Sequence, residues 1–252
     1  MKHKLLLTSL IILLIPVLSA CHSSTTNTGP TIKTTLTNQD FTSLNVKSLS
    51  GDIELRQGDK CKVVYQGGKS VKPQVSFNNG TLTINQKKVA VTHKSKWFLF
   101  SFSSKTSTQY EKIIIYLPKE KINKLSINTE DGDINGYGSL SANSVKLNTE
   151  DGDITLSQLS AQKGSINSAD GDIKITELSS KDGFKVLSED GDISIKHTDA
   201  SGYKLSTDDG DLNIRKKDSH VDDDDGRYTY YHNIDSQNVL TVHSEDGDIN
   251  IE

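Results

Sequence analysis

The sequence predicts an all-β fold, a β-solenoid (β-helix-like) with repeats of about 19–20 residues, and three observations lead to this prediction. An Asp-Gly-Asp triplet recurs through the second half of the chain, apolar and polar residues alternate on both sides of each triplet, and no single repeat is long enough to bury a core. The central glycines of the triplets are Gly132, Gly152, Gly171, Gly191, Gly210 and Gly247. The first five are spaced by 20, 19, 20 and 19 residues, and the last follows after 37.

Each triplet is predicted to be a corner between two strands. In the repeat around Asp151, apolar residues stand six and four positions before this aspartate, at Val145 and Leu147, and three and five positions after it, at Ile154 and Leu156. A period of two is typical of a β-strand, so each repeat contains two strands that would stack about 4.8 Å from those of the next repeat. A Ser or Thr stands two positions before the first Asp of every triplet. At the corner we expect the glycine to adopt a positive φ and the aspartates to accept hydrogen bonds from backbone N–H groups.

Residues 1–20 are predicted to be a lipoprotein signal peptide. Lys2 and Lys4 give a basic start, and the apolar run at residues 5–18 suits a signal peptide better than a membrane span. The end of the run, Leu-Ser-Ala-Cys at residues 18–21, resembles a bacterial lipobox. The resemblance implies that the chain is cleaved before Cys21 and that this cysteine carries acyl chains such as palmitate, which hold a protein stably on a membrane. Ordinary secretion with Cys21 unmodified is the alternative.

The remaining chain is predicted to be one domain on a tether. Residues 21–31 comprise the lipidated cysteine and a flexible tether, and residues 32–252 form a single solenoid domain. Loss of residues 1–20 leaves 27 basic and 33 acidic residues, and this formal charge of −6 disfavours nucleic acid as a partner. The other cysteine, Cys61, has no disulfide partner once Cys21 is acylated and is predicted to be a small buried residue.

Two divergent repeats are predicted before the regular ones. The first is centred on Gly51, which is followed by Asp52 as in the regular corners. The second has Asn-Gly-Thr at residues 79–81 as its corner, with Val75 and Phe77 at inward positions of the preceding strand.

Two segments interrupt the pattern. Residues 86–109 mix lysines with aromatic residues, among them Trp97, Phe98 and Phe100. This segment is interpreted either as a cap over one end of the solenoid or as a contact with the membrane or a partner. Residues 215–235 are predicted to be an insertion before the last repeat.

These features together resemble a known family. A lipobox, divergent first repeats, an aromatic segment, a strand ending in Tyr116-Leu117-Pro118 and serial Ser/Thr-x-x-Gly-Asp-Ile repeats are similar to those of the DUF4097 β-strand-repeat proteins. This family is also described as adhesin-like and includes LiaG-like envelope proteins of Gram-positive bacteria. The resemblance covers most of the mature chain and implies a β-helix-like fold, a location in the cell envelope and no catalytic residues. The chain departs from the family in having Asp before the Gly of all six corners, where Ser is more usual.

The acidic corners are the candidate binding site. Corners stacked in sequence order would bring carboxylates to about 5 Å from one another, where like charges repel by roughly 1 kcal/mol per pair in water. Backbone N–H groups and flanking lysines could relieve this repulsion, bound Ca²⁺ could do so, or the acidic stripe could attract a cationic peptide or another basic ligand. The candidate residues are Asp131, Asp133, Asp151, Asp153, Asp170, Asp172, Asp190, Asp192, Asp209 and Asp211. An EF-hand loop starting at Asp131 does not match, because its twelfth position is Ala142, and the repeat period does not fit a nine-residue calcium-binding repeat.

The sequence favours a non-catalytic protein, lipid-anchored on the extracytoplasmic face of the membrane of a Gram-positive bacterium. Such a solenoid would act as an adhesin-like binding module or a sensor of envelope stress, and would bind an envelope or host-surface ligand or a cationic peptide. The alternatives are a Ca²⁺-dependent binding protein and a carbohydrate-active β-helix enzyme. The enzyme is disfavoured because the carboxylates are regular and the histidines recur at no spacing typical of metal ligands or a catalytic triad. No cofactor is predicted, apart from Ca²⁺ in the first alternative.

Overall fold

The computed structural model describes residues 29–86, 111–215, 222–224 and 227–252. Within these residues the chain forms β-strands and one 3-10 turn, Lys69–Val71, and the predicted all-β solenoid is confirmed. The described residues contain no helix with the length and apolar character needed to cross a bilayer. In chain order the strands are β1 (Thr31–Thr37), β2 (Ser43–Lys47), β3 (Asp52–Gln57), β4 (Lys62–Gly68), β5 (Gln74–Asn78), β6 (Thr81–Asn85), β7 (Lys112–Leu117), β8 (Ile122–Asn128), β9 (Ile134–Asn148), β10 (Ile154–Asn167), β11 (Ile173–Ser179), β12 (Phe184–Ser188), β13 (Ile193–Thr198), β14 (Gly202–Thr207), β15 (Leu212–Ile214), β16 (Asp222–Asp224), β17 (Arg227–His232), β18 (Val239–Ser244) and β19 (Ile249–Ile251).

Each coil of the solenoid passes through two sheets. The strand that precedes a corner lies in what we call the first sheet, and the strand that follows the corner lies in the second sheet. Strands β9 and β10 run from one corner to the next, so each begins in the second sheet and ends in the first. Neighbouring coils pair in parallel, which places Ile154 beside Ile134 on one side and Ile173 on the other.

The order of the coils in space differs from their order in the chain at both ends. The first sheet runs β5-β6-β2-β8-β9-β10-β12-β18-β14-β17-β16. The second sheet runs β1-β4-β7-β3-β9-β10-β11-β13-β19-β15. The expected stacking of the Gly210 corner on the Gly191 corner is wrong, because β18 and β19 carry the Gly247 corner into the space between them.

Antiparallel strands close both ends of the first sheet, where β5 pairs with β6 and β17 pairs with β14. The predicted corner at residues 79–81 is wrong. Asn79 and Gly80 have φ values of 46° and 75° and form the tight turn between β5 and β6. An Asn-Gly pair favours such a hairpin because both central residues adopt positive φ. Val75 and Phe77 therefore lie on a terminal strand, where they are 37% and 39% exposed.

The core is a stack of apolar ladders between the two sheets. The first inward position after each of six corners contributes an isoleucine that is fully buried: Ile53, Ile134, Ile154, Ile173, Ile193 and Ile249. Each such side chain stabilises the fold by about 1.5–3 kcal/mol relative to an exposed one. A further ladder, Leu140, Leu159 and Leu178, lies in the return from one corner to the next, a part of the repeat whose inward positions the period-two pattern did not identify. Cys61 is buried with a free thiol, as predicted.

The corner glycines are required because successive backbones approach closely. None of the six has a positive φ, so the expectation of a left-handed conformation is wrong. A Cβ at Gly152 would lie 2.3 Å from the carbonyl oxygen of Gly132, and a Cβ at Gly171 would lie 2.1 Å from that of Gly152. These distances are far inside van der Waals contact, and a backbone atom cannot rotate away as a side chain can. Each corner therefore packs directly on the previous one, which only glycine permits.

Two substitutions distinguish the two reasons for a glycine. Gly152→Ala tests the close approach of two backbones, and Gly138→Ala tests a positive φ. Gly138 has a φ of 76°, but a Cβ there would meet only Gln57 Cβ, at 3.9 Å. We expect Gly138→Ala to lower the free energy of unfolding by about 1–2 kcal/mol, the cost of a left-handed alanine. We expect Gly152→Ala to lower it by about 3 kcal/mol or more, because two backbones must move apart. Urea unfolding measures both changes, and an equal loss in the two variants would contradict the close-approach explanation.

Candidate functional site

Each acidic corner is held by the Ser or Thr that stands two positions before its first Asp. Thr149 Oγ1 accepts a hydrogen bond from the Gly152 N–H at 3.1 Å and donates to the Gly132 carbonyl of the preceding coil at 3.3 Å. The corresponding hydroxyls that make both bonds in other corners are those of Ser168, Thr207 and Ser244. Loss of one such buried hydroxyl would leave two backbone groups unpaired, at a cost of about 1–3 kcal/mol. The sequence indicates this hydrogen-bonding role by placing a Ser or Thr at an inward position of the strand. A hydroxyl that is buried there needs a hydrogen-bond partner.

The second Asp of each triplet links neighbouring coils. The Asp153 N–H donates to Asp133 Oδ1 at 3.0 Å, and the Asp172 N–H donates to Asp153 Oδ1 at 2.9 Å. In order of their coils, the carboxylates of this row belong to Asp52, Asp133, Asp153, Asp172, Asp192, Asp248 and Asp211. These bonds supply the backbone donors that were one expected source of relief for the carboxylates.

Two carboxylates of this row have shifted pKa values. A hydrogen bond from the Lys174 ammonium, 2.8 Å from Asp172 Oδ2, lowers the pKa of Asp172. A carboxylate with a lowered pKa stabilises the fold while it is ionised, so this contribution is present above the ordinary pKa of 3.8 and is lost as the pH falls through the lowered value. Burial raises the pKa of Asp52, and the neighbouring Asp133 carboxylate adds to the rise. Ionisation of Asp52 is therefore less favourable in the folded protein than in the unfolded chain.

The first Asp of each triplet presents its carboxylate to solvent. The residues of this row, which we call the first-aspartate row, are Asp131, Asp151, Asp170, Asp190, Asp246 and Asp209 in order of their coils, and all are exposed. Their backbones are fixed, as where the Asp151 N–H donates to the Glu130 carbonyl of the preceding coil at 3.0 Å. Within the described part of the chain their carboxylates accept no hydrogen bond and form no ion pair, so this row is available to a ligand.

The structure brings most of the predicted site residues together. The eight aspartates from Asp131 to Asp192 lie on four successive corners, whereas Asp209 and Asp211 are separated from them by the interposed Gly247 corner. Sequence reasoning therefore missed Asp246 and Asp248, which stand inside the row. In residues 29–86, 111–215 and 227–252, no three His, Cys, Asp or Glu side chains converge in a way that could hold a metal ion. The predicted lipidation site, Cys21, and the predicted contact residues Trp97, Phe98 and Phe100 lie outside the described residues.

A family model, Toastrack DUF4097, matches residues 41–252. No curated protein matches the chain. Among solved structures, a candidate cell adhesion protein from Clostridium sporogenes is 16% identical, with 88% of this chain and 99% of that chain covered and a TM-score of 0.46. A candidate adhesin from Bacteroides fragilis is 16% identical, with 88% and 97% covered and a TM-score of 0.41. A candidate lipid binding protein from Parabacteroides distasonis is 14% identical, with 88% and 94% covered and a TM-score of 0.40.

Substitution of Asp153 distinguishes a structural carboxylate from a metal ligand. Asp153→Asn keeps an oxygen that can accept the Asp172 N–H, so we expect its free energy of unfolding to stay within about 0.5 kcal/mol of the wild-type value. Asp153→Ala removes that oxygen and should cost about 1 kcal/mol. We expect thermal unfolding in millimolar Ca²⁺ and in EDTA, at fixed ionic strength, to coincide for all three proteins. A rise in Tm with Ca²⁺ that Asp153→Asn abolishes would instead reveal a calcium site, because a ligand that binds only the folded state stabilises it.

Proposed function

Because the chain belongs to the Toastrack DUF4097 family, we propose that it is a non-catalytic binding module held by a lipid on Cys21 to the extracytoplasmic face of the cell membrane. There it contacts a ligand of the envelope or of a host surface, as an adhesin-like module or as a sensor of envelope stress. The observation that carries this proposal is the first-aspartate row, whose carboxylates are exposed on a rigid backbone.

The first-aspartate row suits a cationic ligand. Its carboxylates repeat at the coil spacing of about 4.8 Å, and such a row of like charges attracts basic groups over a Debye length of about 8 Å at physiological ionic strength. The backbone of the row is fixed by its bonds to the preceding coil, so little conformational entropy is lost on binding. The proposed ligand of this row is a cationic peptide or a basic surface.

The N-terminal end of the solenoid is compatible with an anchor on Cys21. The described chain enters the fold beside the 3-10 turn, where the Lys69 N–H donates to the Pro30 carbonyl at 3.0 Å. Gly29 stands eight residues after Cys21, and eight extended residues span about 28 Å. A lipid on Cys21 would therefore hold this end of the solenoid close to the membrane surface.

The connection between β6 and β7 begins and ends near the same end of the solenoid. Gln86, which precedes it, donates a hydrogen bond from Nε2 to Glu111 Oε2 at 2.8 Å, and Glu111 follows it. Strands β6 and β7 are the last parallel strands at the end of the solenoid where the antiparallel strands β5, β4 and β1 lie. Contact of Trp97, Phe98 and Phe100 with the membrane or with a partner is part of the proposal.

No catalytic role is part of the proposal. The corner carboxylates recur on every coil, whereas a glycoside-cleaving pair needs one acid and one base in different environments. The carboxylates of the second row also accept backbone hydrogen bonds from the next coil. Hydrolysis of an envelope polysaccharide by the purified protein would favour the alternative, a carbohydrate-active enzyme.

Cys21→Ser tests the anchor. Without the thiol no acyl chain can be attached, so we expect the protein to move from the membrane fraction to the medium. Cys61→Ser changes the other cysteine, which is buried in the domain, and should leave the protein in the membrane fraction. Fractionation of cells followed by immunoblotting measures both. Retention of the Cys21→Ser protein in the membrane would show that another feature holds it there.

Neutralising part of the first-aspartate row tests its ligand. We expect Asp151→Asn with Asp170→Asn to weaken the binding of oligolysine about three- to tenfold, because two exposed ion pairs are lost. Asp40→Asn with Asp235→Asn removes the same charge from exposed positions away from the corners and should have little effect. Titration by fluorescence anisotropy at rising salt measures both affinities, which should fall with ionic strength. Equal losses in the two variants would mean that net charge, and not this row, attracts the peptide.

A further inference from the structure

The outer surface of the first sheet carries lysines and, on its parallel strands, no acidic residue. Its parallel strands β2, β6, β8, β12, β14 and β18, together with the first-sheet ends of β9 and β10, contain no Asp or Glu. Six exposed lysines lie on this surface. One of them, Lys47, stands at the end of β2, and the other five form what we call the lysine strip: Lys124, Lys146, Lys163, Lys185 and Lys204. A solvated surface with no binding role usually mixes both signs of charge, so this segregation indicates a surface with an anionic partner.

Within the described residues the lysines of the strip form no ion pair or hydrogen bond with an acidic residue. Asp182, whose pKa is lowered chiefly by hydrogen bonds from Gln162 and Gln237, also interacts electrostatically with Lys163. By contrast, Lys112 and Lys174 on the second sheet make ion pairs with Glu54 and Asp172. From the register, neighbouring lysine positions on β8, β9, β10 and β12 lie about 8 Å apart, a separation at which like charges repel by about 0.5 kcal/mol per pair in water. The fold therefore maintains a row of mutually repelling cations that a bound anion would relieve.

The register of the sheet sets the shape of the strip. Lys146 is in register with Ser165, and Ser165 with Lys185, while Lys163 is in register with Ser144 one row away. The charges therefore alternate between two rows from β8 to β12. Strand β18 has Thr241 in place of a lysine, and Lys204 on β14 lies in the same row as Lys185. With coils about 4.8 Å apart and rows about 7 Å apart, the strip is about 24 Å long and about 7 Å wide.

A groove crosses the centre of the strip. It has a volume of about 490 Å³, and Lys146, Lys163 and Lys185 line it together with the hydroxyls of Ser144, Ser165 and Thr241. One acidic residue, Asp182, borders the groove, and it accepts hydrogen bonds from the amides of Gln162 and Gln237 at 2.9 and 2.7 Å. The groove thus offers cationic groups for anions and hydroxyls for polar groups of the same ligand.

We propose that the lysine strip binds a linear anionic glycopolymer, a chain of sugar or polyol units in which each unit carries a carboxylate or a phosphodiester. The long, narrow strip matches a polymer that runs along the solenoid axis and places successive anions beside successive lysines. Ser and Thr hydroxyls in the groove supply hydrogen bonds to the hydroxyls of such a polymer. This inference rests on the proposed function, because an extracytoplasmic location exposes the strip to polymers of the envelope.

An anionic membrane surface fits the strip less well. Proteins that lie on a bilayer combine basic residues with apolar side chains that enter it. The exposed large apolar residues of the described chain are Val75, Phe77, Tyr137, Tyr231 and Ile234, and of these only Tyr231 lies beside the strip, in register with Lys204. The strip also contains a concave groove, which receives a chain and not a flat surface.

The experiment measures the binding of the full chain, purified in a non-ionic detergent, to polygalacturonate, poly(glycerol phosphate), neutral dextran and anionic phospholipid vesicles. We expect binding to one or both anionic polymers and none to dextran, and the tighter polymer identifies the anionic group. Lys146→Glu with Lys163→Glu and Lys185→Glu should weaken this binding more than about tenfold and reduce the slope of log affinity against log salt by about two, because three cationic contacts are lost. The corresponding Lys→Gln variant should show the same direction without added negative charge.

The matched control changes lysines of the second sheet. Lys33→Glu, Lys62→Glu and Lys196→Glu together give the same change in net charge at exposed positions on β1, β4 and β13, away from the strip, and should leave the salt slope unchanged. An equal loss in this control, tighter binding to vesicles than to either polymer, or binding to dextran that survives the Lys→Gln changes would overturn the proposal. The proposed function is tested by cell fractionation and by oligolysine binding to the first-aspartate row, whereas this proposal is tested by polymer binding to the purified chain. A failure of one proposal can therefore be told apart from a failure of the other.

Discussion

The close approach of successive corner backbones is the constraint on which the rest of the solenoid depends. A Cβ on any of the six corner glycines would lie only 2.1–2.3 Å from a backbone carbonyl oxygen of the neighbouring corner. This close backbone contact fixes how far each coil is offset from its neighbour. Once the corners are in contact, the buried Thr149 hydroxyl can join two coils, and the Asp153 carboxylate can accept the Asp172 N–H. The same offset keeps the flanking strands in register, so inward residues form continuous ladders and outward residues form continuous rows.

The Gly51 and Gly247 coils, one near each end of the solenoid, add a second constraint. A simple solenoid stacks its repeats in chain order, so its ends can fray one repeat at a time. Here the Gly51 coil and the Gly247 coil each lie between two coils that come from elsewhere in the chain. The β12 and β14 strands cannot be joined through the sheet until β18 lies between them. Contacts of this kind are distant in sequence, and the loop-closure entropy that they cost is expected to slow their formation.

The sequence predicted the parts of this fold that repeat. Period-two alternation identified the inward residues around each corner, since burial on one face imposes that pattern. It could not identify the order of coils at the ends, because the Gly247 corner has the same sequence features as its neighbours and fits equally well between any two of them. It also could not distinguish positive φ from close approach at Gly152, because both require glycine. The Asn79-Gly80 pair is typical of a hairpin turn, but its glycine, flanked by alternating apolar residues, also fits the pattern of a corner.

The sequence predicted the acidic corners but not the lysine strip. A dense Asp-Gly-Asp signal drew attention to the acidic edge, whereas the lysines are spread over strands far apart in the chain and align only through the register of the sheet. Net charge concealed them as well, because the formal charge of −4 is a sum over the whole chain. On one strand, Lys146 stands four residues, about 13 Å, before Glu150 at the acidic corner. This distance exceeds the Debye length of about 8 Å at physiological ionic strength, so the two surfaces present opposite fields that do not cancel. One rigid solenoid can therefore hold a cationic ligand along its corner and an anionic polymer along its first sheet.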